Sequence, residues 1–218
     1  SATARALRRL ARRHRILTDE IADIDTELRA LTARAAPTML ATKGYGVITT
    51  ATLLVTAGDN PGRIRTEASF AALCGAAPIP ASSGKTNRHR LNRGGDRQAN
   101  WALHQIALVR LSSDPRTKAY AARLTATGKN CKEILRCLKR AIAREAWHLL
   151  THPQPAPRTD DLRRLRHERG LTLTQAAHHL NTHPARISEL ERGTRPDTTL
   201  TAAYRQWLNT QQPQTHTA

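Results

Sequence analysis

A heptad seam of apolar residues near the start of the chain constrains the fold more than any other feature. Its members follow one another at alternating steps of three and four: Leu7, Leu10, His14, Leu17, Ile21, Ile24, Leu28 and Leu31. This period predicts a long helix over residues 1–36 that pairs with another helix in coiled-coil fashion. Pro37 ends it, because proline has no N–H to donate. A second copy of the chain and a helix encoded upstream suit the seam equally. The chain begins with Ser1 inside this pattern, so we expect that the N-terminal part of a longer protein is missing.

The rest of the chain predicts an all-α protein. It contains one Phe, three Tyr and three Trp, so aliphatic residues must build the core, which suits helices better than sheets. Glycine and proline interrupt the pattern at residues 75–95, at Asp114-Pro115 and at Gly128. Between these breaks the periodicity predicts helices over 48–56, 66–74, 98–111 and 131–150. We assign residues 37–152 to one helical domain.

A proline-rich linker follows that domain. Residues 153–159 carry alternating prolines, which favour extended polyproline geometry and forbid a helix. A second unit is expected over residues 160–209. The Gln- and Thr-rich tail, residues 210–218, is expected to be disordered.

The net charge indicates a nucleic-acid partner. Lys and Arg number 35 against 17 Asp and Glu, for a formal net charge of +18, and most of the basic residues are Arg. The planar guanidinium group grips phosphate with two N–H groups and does not lose its charge. A GC-rich genome would enrich the same residue types, so charge alone leaves that alternative open.

Cysteine usage and hydropathy indicate an intracellular protein. Cys74, Cys131 and Cys137 form no CxxC pair, which argues against a disulfide framework and a zinc ribbon. No apolar run is long enough to span a membrane, and no signal-like segment opens the chain. We expect a cytoplasmic protein with no membrane partner and no metal site of its own.

Residues 160–196 show the apolar spacing of three short helices. Thr172 or Thr174 can cap the second helix and Thr182 the third, and the turn at Asn181 is tight. Such a turn sets the third helix across the second, as in DNA-binding helix-turn-helix units.

The pieces LTxxQAA and ISxxERG in this segment resemble the lambda-repressor-like, Xre-type helix-turn-helix family. The resemblance implies that Gln175 contacts backbone phosphate. It also implies that His183, Ala185, Arg186 and Glu189 lie where base edges are read. A protein-interaction domain that has kept the fold and lost DNA binding is the alternative.

A glycine hairpin precedes the helix predicted from Ile48. Lys43, Gly44 and Gly46 leave backbone N–H groups near a positive helix end, an arrangement that suits a phosphate. The segment looks like half of a helix-hairpin-helix, a DNA clamp without sequence preference. An ordinary glycine turn explains the residues as well.

A basic loop at residues 81–97 contains a candidate nucleophile, Ser83, next to Gly84. A serine that attacks a phosphodiester needs close backbone approach and guanidinium groups to neutralise the pentavalent charge. The loop supplies five basic residues: Lys85, Arg88, Arg90, Arg93 and Arg97. Serine beside glycine is also a common turn former. The amphipathic helix predicted over 131–150 carries an excess of basic residues, which favours contact with a nucleic-acid backbone over a merely solvated face.

Residues 39–150 resemble the C-terminal domain of the IS110 group of insertion-sequence transposases, a DEDD-type family guided by a bridge RNA. Four pieces carry the resemblance: GYGVITTA, CGAAPIPASSG, NRGGDRQAN and CLKRAIARE. It implies that Ser83, rather than its neighbour Ser82, is the strand-attacking residue, and that residues 1–36 form the helical arm between two domains. It also implies Mg²⁺ in an acidic N-terminal domain that residues 1–36 do not provide, no cofactor within this chain, and a possible guide-RNA partner.

The predicted function is therefore that of the C-terminal part of a DNA transposase or recombinase. Ser83 would cleave and transfer strands of an insertion sequence while Arg88, Arg90 and Arg93 hold the phosphate. The fragment would bind without reacting when the acidic domain is missing, and residues 7–31 would make it a homo-oligomer. The alternative is a sequence-specific regulator that acts through residues 160–209, with the rest a remnant.

Overall fold

The computed structural model describes residues 1–58, 62, 64–81, 89–155 and 157–211. The elements of the larger, N-terminal part are α1 (Ala2–Ala35), α2 (Pro37–Ala41), α3 (Val47–Ala57), α4 (Glu67–Leu73), β1 (Ile79–Pro80), β2 (His89–Arg90), α5 (Arg97–Ser113), α6 (Pro115–Ala126) and α7 (Cys131–Thr151). The C-terminal elements are α8 (Leu162–Glu168), α9 (Leu173–His179), α10 (Pro184–Glu191) and α11 (Thr198–Thr210). The predicted all-α class is confirmed, with one pair of two-residue strands added. Among the described residues no helix is both long and apolar enough to cross a membrane.

Helix α1 is a single helix along the predicted seam, and most of that seam is uncovered. The side chains of Leu7, Leu10, Ile21 and Ile24 are 61%, 67%, 58% and 55% exposed. Only the C-terminal end of α1 packs on the domain, against α2 and α3, where Thr32 is buried. The apolar stripe therefore has no partner within the described part of this chain.

The first core is centred on α5, which packs against α3, α6 and α7. Ala99, Ala102 and Ala107 are fully buried on α5, and their small side chains let the neighbouring helices approach closely. Large side chains complete the packing: Met39, Leu53, Phe70, Leu103 and Ile106. This core fixes α5 and α7, which frame the candidate site.

Helix α6 was not predicted, because Asp114-Pro115 and Gly128 were interpreted only as breaks. Asp114 ends α5 and also caps α6, where its carboxylate accepts from the backbone N–H of Thr117, and Pro115 occupies the first helical turn. No residue of α6 is fully buried, but Tyr120, Ala121 and Leu124 pack half-buried on the first core at helical spacing, so the sequence carried a signal that the flanking breaks obscured.

The second core joins four helices rather than the three predicted. Leu162, Ala176, Ile187 and Leu190 form a core as expected, and the fourth helix, α11, closes it. Asp197 caps α11, whose Tyr204 and Leu208 are fully buried. The expectation of disorder after residue 209 falls largely on residues 212–218, which lie outside the described residues.

A buried polar network links the helices of the C-terminal unit. Arg166 donates to both oxygens of the Glu191 carboxylate at 2.7 and 3.0 Å, and also to the carbonyl of Leu171. The hydroxyl of Tyr204 donates to the same carboxylate at 2.7 Å. The Glu191 hydrogen bond raises the pKa of Arg166, so its guanidinium group stays charged. Burial, followed by the carboxylate, raises the pKa of Tyr204, which stays protonated as a donor.

We predict that Arg166→Met destabilises the C-terminal unit by about 3–5 kcal/mol, because it leaves the Glu191 carboxylate buried and without its cation. Hydrogen exchange of the α9 and α10 amides measures this loss. The matched control is Arg164→Met, which removes an exposed pair with Glu168 and should cost at most about 1 kcal/mol. Equal protection in the two variants would show that the network contributes no more than a surface pair.

Candidate nucleic-acid interface

Strands β1 and β2 bracket the segment that carries the predicted nucleophile. They pair antiparallel, with Ile79 opposite Arg90 and Pro80 opposite His89. Four of the predicted site residues, Ser83 with its neighbour Ser82, Lys85 and Arg88, lie outside the described residues. The structure therefore describes what holds this segment at both ends. We call residues 75–80 and 89–96 the stem.

The stem is anchored to α4 and α5 by a close approach of two glycines. The N–H of Asp96 donates to the carbonyl of Leu73 at 2.6 Å, and Asn100 donates to the carbonyls of Cys74 and Gly75 at 2.9 and 3.1 Å. Gly75 and Gly95 both have positive φ, at 61° and 88°. A Cβ on Gly95 would lie 2.6 Å from the backbone N of Gly75. The crossing therefore requires glycine.

Asp96 ties this anchor to two helices. Its carboxylate caps α5 by accepting from the N–H groups of Gln98 and Ala99, and it also accepts from the hydroxyl of Thr56 at 3.0 Å. These hydrogen bonds, led by that from Ala99, lower the pKa of Asp96. Burial raises the pKa of the neighbouring Cys74 thiol to about 12, so Cys74 is a packing residue rather than a thiolate.

The three described arginines of the predicted site lie on or beside the stem. Arg90 is in β2, Arg93 follows it, and Arg97 begins α5. All three are exposed, and within the described residues none forms an ion pair. Their charges are therefore available to a ligand.

The loop with Lys43, Gly44 and Gly46 makes hydrogen bonds within the protein. Gly44 has φ 93° and lies against the side chain of Arg110, which donates to the carbonyl of Lys43 at 2.8 Å. Lys43 donates to the carbonyl of Ser113, and the N–H of Gly46 donates to the hydroxyl of Thr49. The positive φ and the adjacent Arg110 side chain explain the glycine at 44, whereas a Cβ at Gly46 would lie 3.9 Å from its nearest neighbour, so packing does not require glycine there. A DNA contact by Lys43, Gly44 and Gly46 stays a prediction.

Arg110 belongs to a second ionic cluster beneath that loop. It forms a two-pronged pair with Glu145, both distances being 2.7 Å, and its guanidinium carbon lies 5.4 Å from the ring centre of Tyr45. Burial, and then Glu145, raises the pKa of Tyr45. The cluster joins α5 to α7 and holds the loop in place.

The helix-turn-helix residues lie at the predicted places. Asn181 has φ 48°, which makes the tight turn between α9 and α10. Thr172 caps α9 as expected, and the Gln175 side chain completes the capping box by accepting from the N–H of Thr172 at 2.8 Å. Thr182 does not cap α10; His183 does, because Pro184 takes the first helical position and the ring Nδ1 of His183 accepts from Ala185.

Gln175 and His183 are exposed at the N-terminal ends of α9 and α10. Arg186 is held within the unit, where it donates to the carbonyl of Arg195 at 2.6 Å and to the Asp197 carboxylate at 3.2 Å. These contacts order the segment before α11. The base and phosphate contacts of Gln175, His183 and Arg186 stay predictions.

Comparisons with known proteins agree with both halves of this description. Residues 36–122 match the model of the transposase IS116/IS110/IS902 family, and residues 160–214 match that of a helix-turn-helix domain. The chain is 30% identical, over 158 residues, to an insertion element IS900 uncharacterized 42 kDa protein of Mycobacterium paratuberculosis. That match covers 69% of this chain and 40% of the relative.

A second relative is an insertion element IS110 uncharacterized 43.6 kDa protein of Streptomyces coelicolor. It is 36% identical over 106 residues, which cover 48% of this chain and 26% of the relative. The chain thus spans less than half of the length of either relative.

We predict that Gly95→Ala destabilises the N-terminal domain strongly, because the added Cβ meets backbone atoms at the glycine crossing. The matched control is Gly128→Ala, where φ is 83° and the Cβ would meet nothing within 4 Å. The control should cost about 1–2 kcal/mol, the strain of left-handed backbone. Gly95→Ala should cost at least about 2 kcal/mol more in urea unfolding. Equal losses would mean that the crossing can relax.

Proposed function

Because residues 36–122 match the IS116/IS110/IS902 transposase family and residues 160–214 match a helix-turn-helix domain, we propose that this chain is the strand-joining and DNA-binding part of a transposase. Ser83 is its nucleophile. The observation that carries the proposal is the pairing of β1 with β2, because it holds the two ends of the serine segment beside the exposed Arg90 and Arg93.

The chemistry is a transesterification. The Ser83 hydroxyl oxygen attacks a DNA phosphorus, a serine–phosphate bond forms, and the bond to one deoxyribose oxygen breaks. The proton of the serine hydroxyl is transferred to that leaving oxygen. One phosphorus–oxygen bond is therefore formed for each one that is broken. A hydroxyl from a second DNA strand reverses the step and completes the transfer. Arg88, Arg90 and Arg93 neutralise the charge that develops on the phosphate.

The described residues of this chain do not provide the ligands of a magnesium site. No group of three or more His, Cys, Asp or Glu side chains that could hold a metal ion occurs among them. Asp19, Asp23 and Asp25 lie on the exposed surface of α1.

We predict that Ser83→Ala abolishes the covalent adduct between protein and labelled DNA and strand joining with it, while DNA binding is kept. The full-length product of the gene is assayed by denaturing gel. Ser82→Ala is the matched control and should form the adduct at the rate of the unchanged protein. An adduct that survives Ser83→Ala rules out this nucleophile, and one that disappears only in Ser82→Ala moves the role to its neighbour.

We further propose that the uncovered seam of α1 pairs with a second copy of the chain in antiparallel orientation. The charges of α1 are segregated: residues 2–16 contain six Arg and no acid, and residues 18–28 contain five acids and no Lys or Arg. Antiparallel helices place the basic half of one copy along the acidic half of the other. Parallel helices would place like charges together.

The heptad positions support the same orientation. When Leu7 is layered against Leu31 of the second copy, the flanking Arg13 faces Glu27 of that copy. In a parallel pair Glu20 would instead face Asp25, which repels. In the same register Glu20 faces Glu20 of the second copy, so one repulsive contact stands against two Arg13–Glu27 attractions, and the antiparallel arrangement keeps the more favourable balance of charge.

We predict that Ile21→Asp shifts the chain towards monomer by at least about tenfold in dissociation constant, because it buries a carboxylate in the seam. Ile16→Asp is the matched control: Ile16 is 50% exposed and lies off the seam, so self-association should not change. Sedimentation equilibrium measures both. Arg13→Glu should weaken the dimer and the added Glu27→Arg should restore it, whereas a parallel pair would show no such rescue.

A further inference from the structure

A cleft of about 490 Å³ lies between the stem and one face of α7. Residues 75–78 and 89–92 of the stem form one wall. Six basic residues contribute to its lining: Arg90, Lys129, Arg136, Lys139, Arg140 and Arg144. Glu133 is the one acidic residue that lines it among the described residues. The cleft is therefore a basic cavity directly beside the ends of the Ser83 segment.

The carboxylates near the cleft are already occupied. Glu133 caps α7 by accepting from the N–H of Asn130 at 2.9 Å, and it lies 3.9 Å from Arg136. Glu67 accepts from Arg144 at 2.8 Å and from Arg140 at 2.7 Å, and these bonds, led by that from Arg144, lower its pKa. Two carboxylates thus serve six cations. The cleft keeps a large positive excess.

Two of the cations are only partly satisfied by the protein. Lys139 donates to the amide oxygen of Asn100 at 2.8 Å rather than to a carboxylate, and burial, followed by Arg136, lowers its pKa. One terminal nitrogen of Arg140, Nη1, is buried and has no hydrogen-bond partner among the described residues. A buried N–H group without an acceptor costs about 1–3 kcal/mol, more when it is charged. An anion in the cleft would give Lys139 the charged partner that it lacks within the described residues.

The shape of the cleft limits the anion to a strand rather than a duplex. Its volume is that of a small-molecule pocket, which admits one or two nucleotides but not a double helix. Four of the basic residues lie along one face of α7, so they form a row rather than a single point: Arg136, Lys139, Arg140 and Arg144. Tyr120 also lines the cleft, and an aromatic ring among cations is typical of sites that bind single strands.

We propose that this cleft binds the phosphodiester backbone of a single DNA strand, with Arg136, Lys139 and Arg140 as phosphate ligands. Its position beside the stem makes it the site that holds the strand next to the attacked phosphate. The identification of the strand as DNA rests on the proposed function. The binding itself requires no reaction at Ser83.

The test compares two double variants of the full chain that remove the same charge. Lys139→Gln with Arg136→Gln changes the cleft, and Lys118→Gln with Arg116→Gln changes exposed residues of α6 that do not line it. Fluorescence anisotropy with a labelled single strand of about ten nucleotides measures binding. The cleft variant should bind at least about tenfold more weakly. Its log–log salt slope should fall by about 0.7 for each phosphate that is no longer neutralised. The α6 variant should change affinity by less than about twofold.

Equal losses in the two double variants would overturn the proposal, and so would tighter binding of an RNA strand of the same sequence. Arg136→Gln alone is the second variant, because Arg136 reaches Glu133 only at 3.9 Å and its removal spares the core. Ser83→Ala separates the two hypotheses. It should leave strand binding unchanged. If this variant loses the adduct and keeps strand binding, the result supports both the cleft and the Ser83 nucleophile. If the adduct persists, the result contradicts only the assignment of Ser83 as nucleophile.

Discussion

The close crossing of Gly75 and Gly95 is the constraint on which the candidate site depends. Two chain segments separated by the whole serine loop meet there with backbone against backbone, an approach that a side chain would prevent. Asn100 and Asp96 then fix the crossing to the start of α5, and α5 is the centre of the first core. The positions of Pro80 and His89, which flank the Ser83 segment on either side, are thus set by packing around the start of α5.

Acidic residues of this basic protein serve mainly to hold its structure. Glu145 binds Arg110 between α5 and α7, Glu191 binds Arg166 within the C-terminal unit, and Glu67 draws Arg140 and Arg144 together. Each pair fixes a guanidinium group whose long side chain would otherwise lose conformational freedom on binding. The remaining excess of positive charge is concentrated where basic residues outnumber carboxylates, as along the cleft. Charge distribution, rather than total charge, therefore marks the functional surface.

The sequence predicted the helices that bury a face and missed those features that depend on distant contacts. The long helix α1, the cap at Thr172 and the turn at Asn181 follow from local spacing, and the structure confirms them. Helix α6 packs Tyr120, Ala121 and Leu124 on the first core at helical spacing, a short signal that the breaks at Asp114-Pro115 and Gly128 obscured. Helix α11 became evident only through Tyr204 and Leu208 in the second core. The strands β1 and β2 have only two residues each, too few to show the alternation of apolar and polar residues that predicts a strand. The glycine crossing and the cleft join residues far apart in sequence, so no local pattern could predict them.

The two proposed DNA surfaces use different physics. A helix-turn-helix reads base edges in the groove of a duplex, and it needs a rigid unit, which the buried Arg166–Glu191–Tyr204 network provides. The cleft has no element that could enter a groove, and its cations offer only charge and hydrogen bonds to phosphate, which carry no sequence information. Selection of a site and positioning of a strand can therefore be separate tasks of one chain. The folded units that would perform them have separate cores, so a substitution in one core can leave the other unit intact.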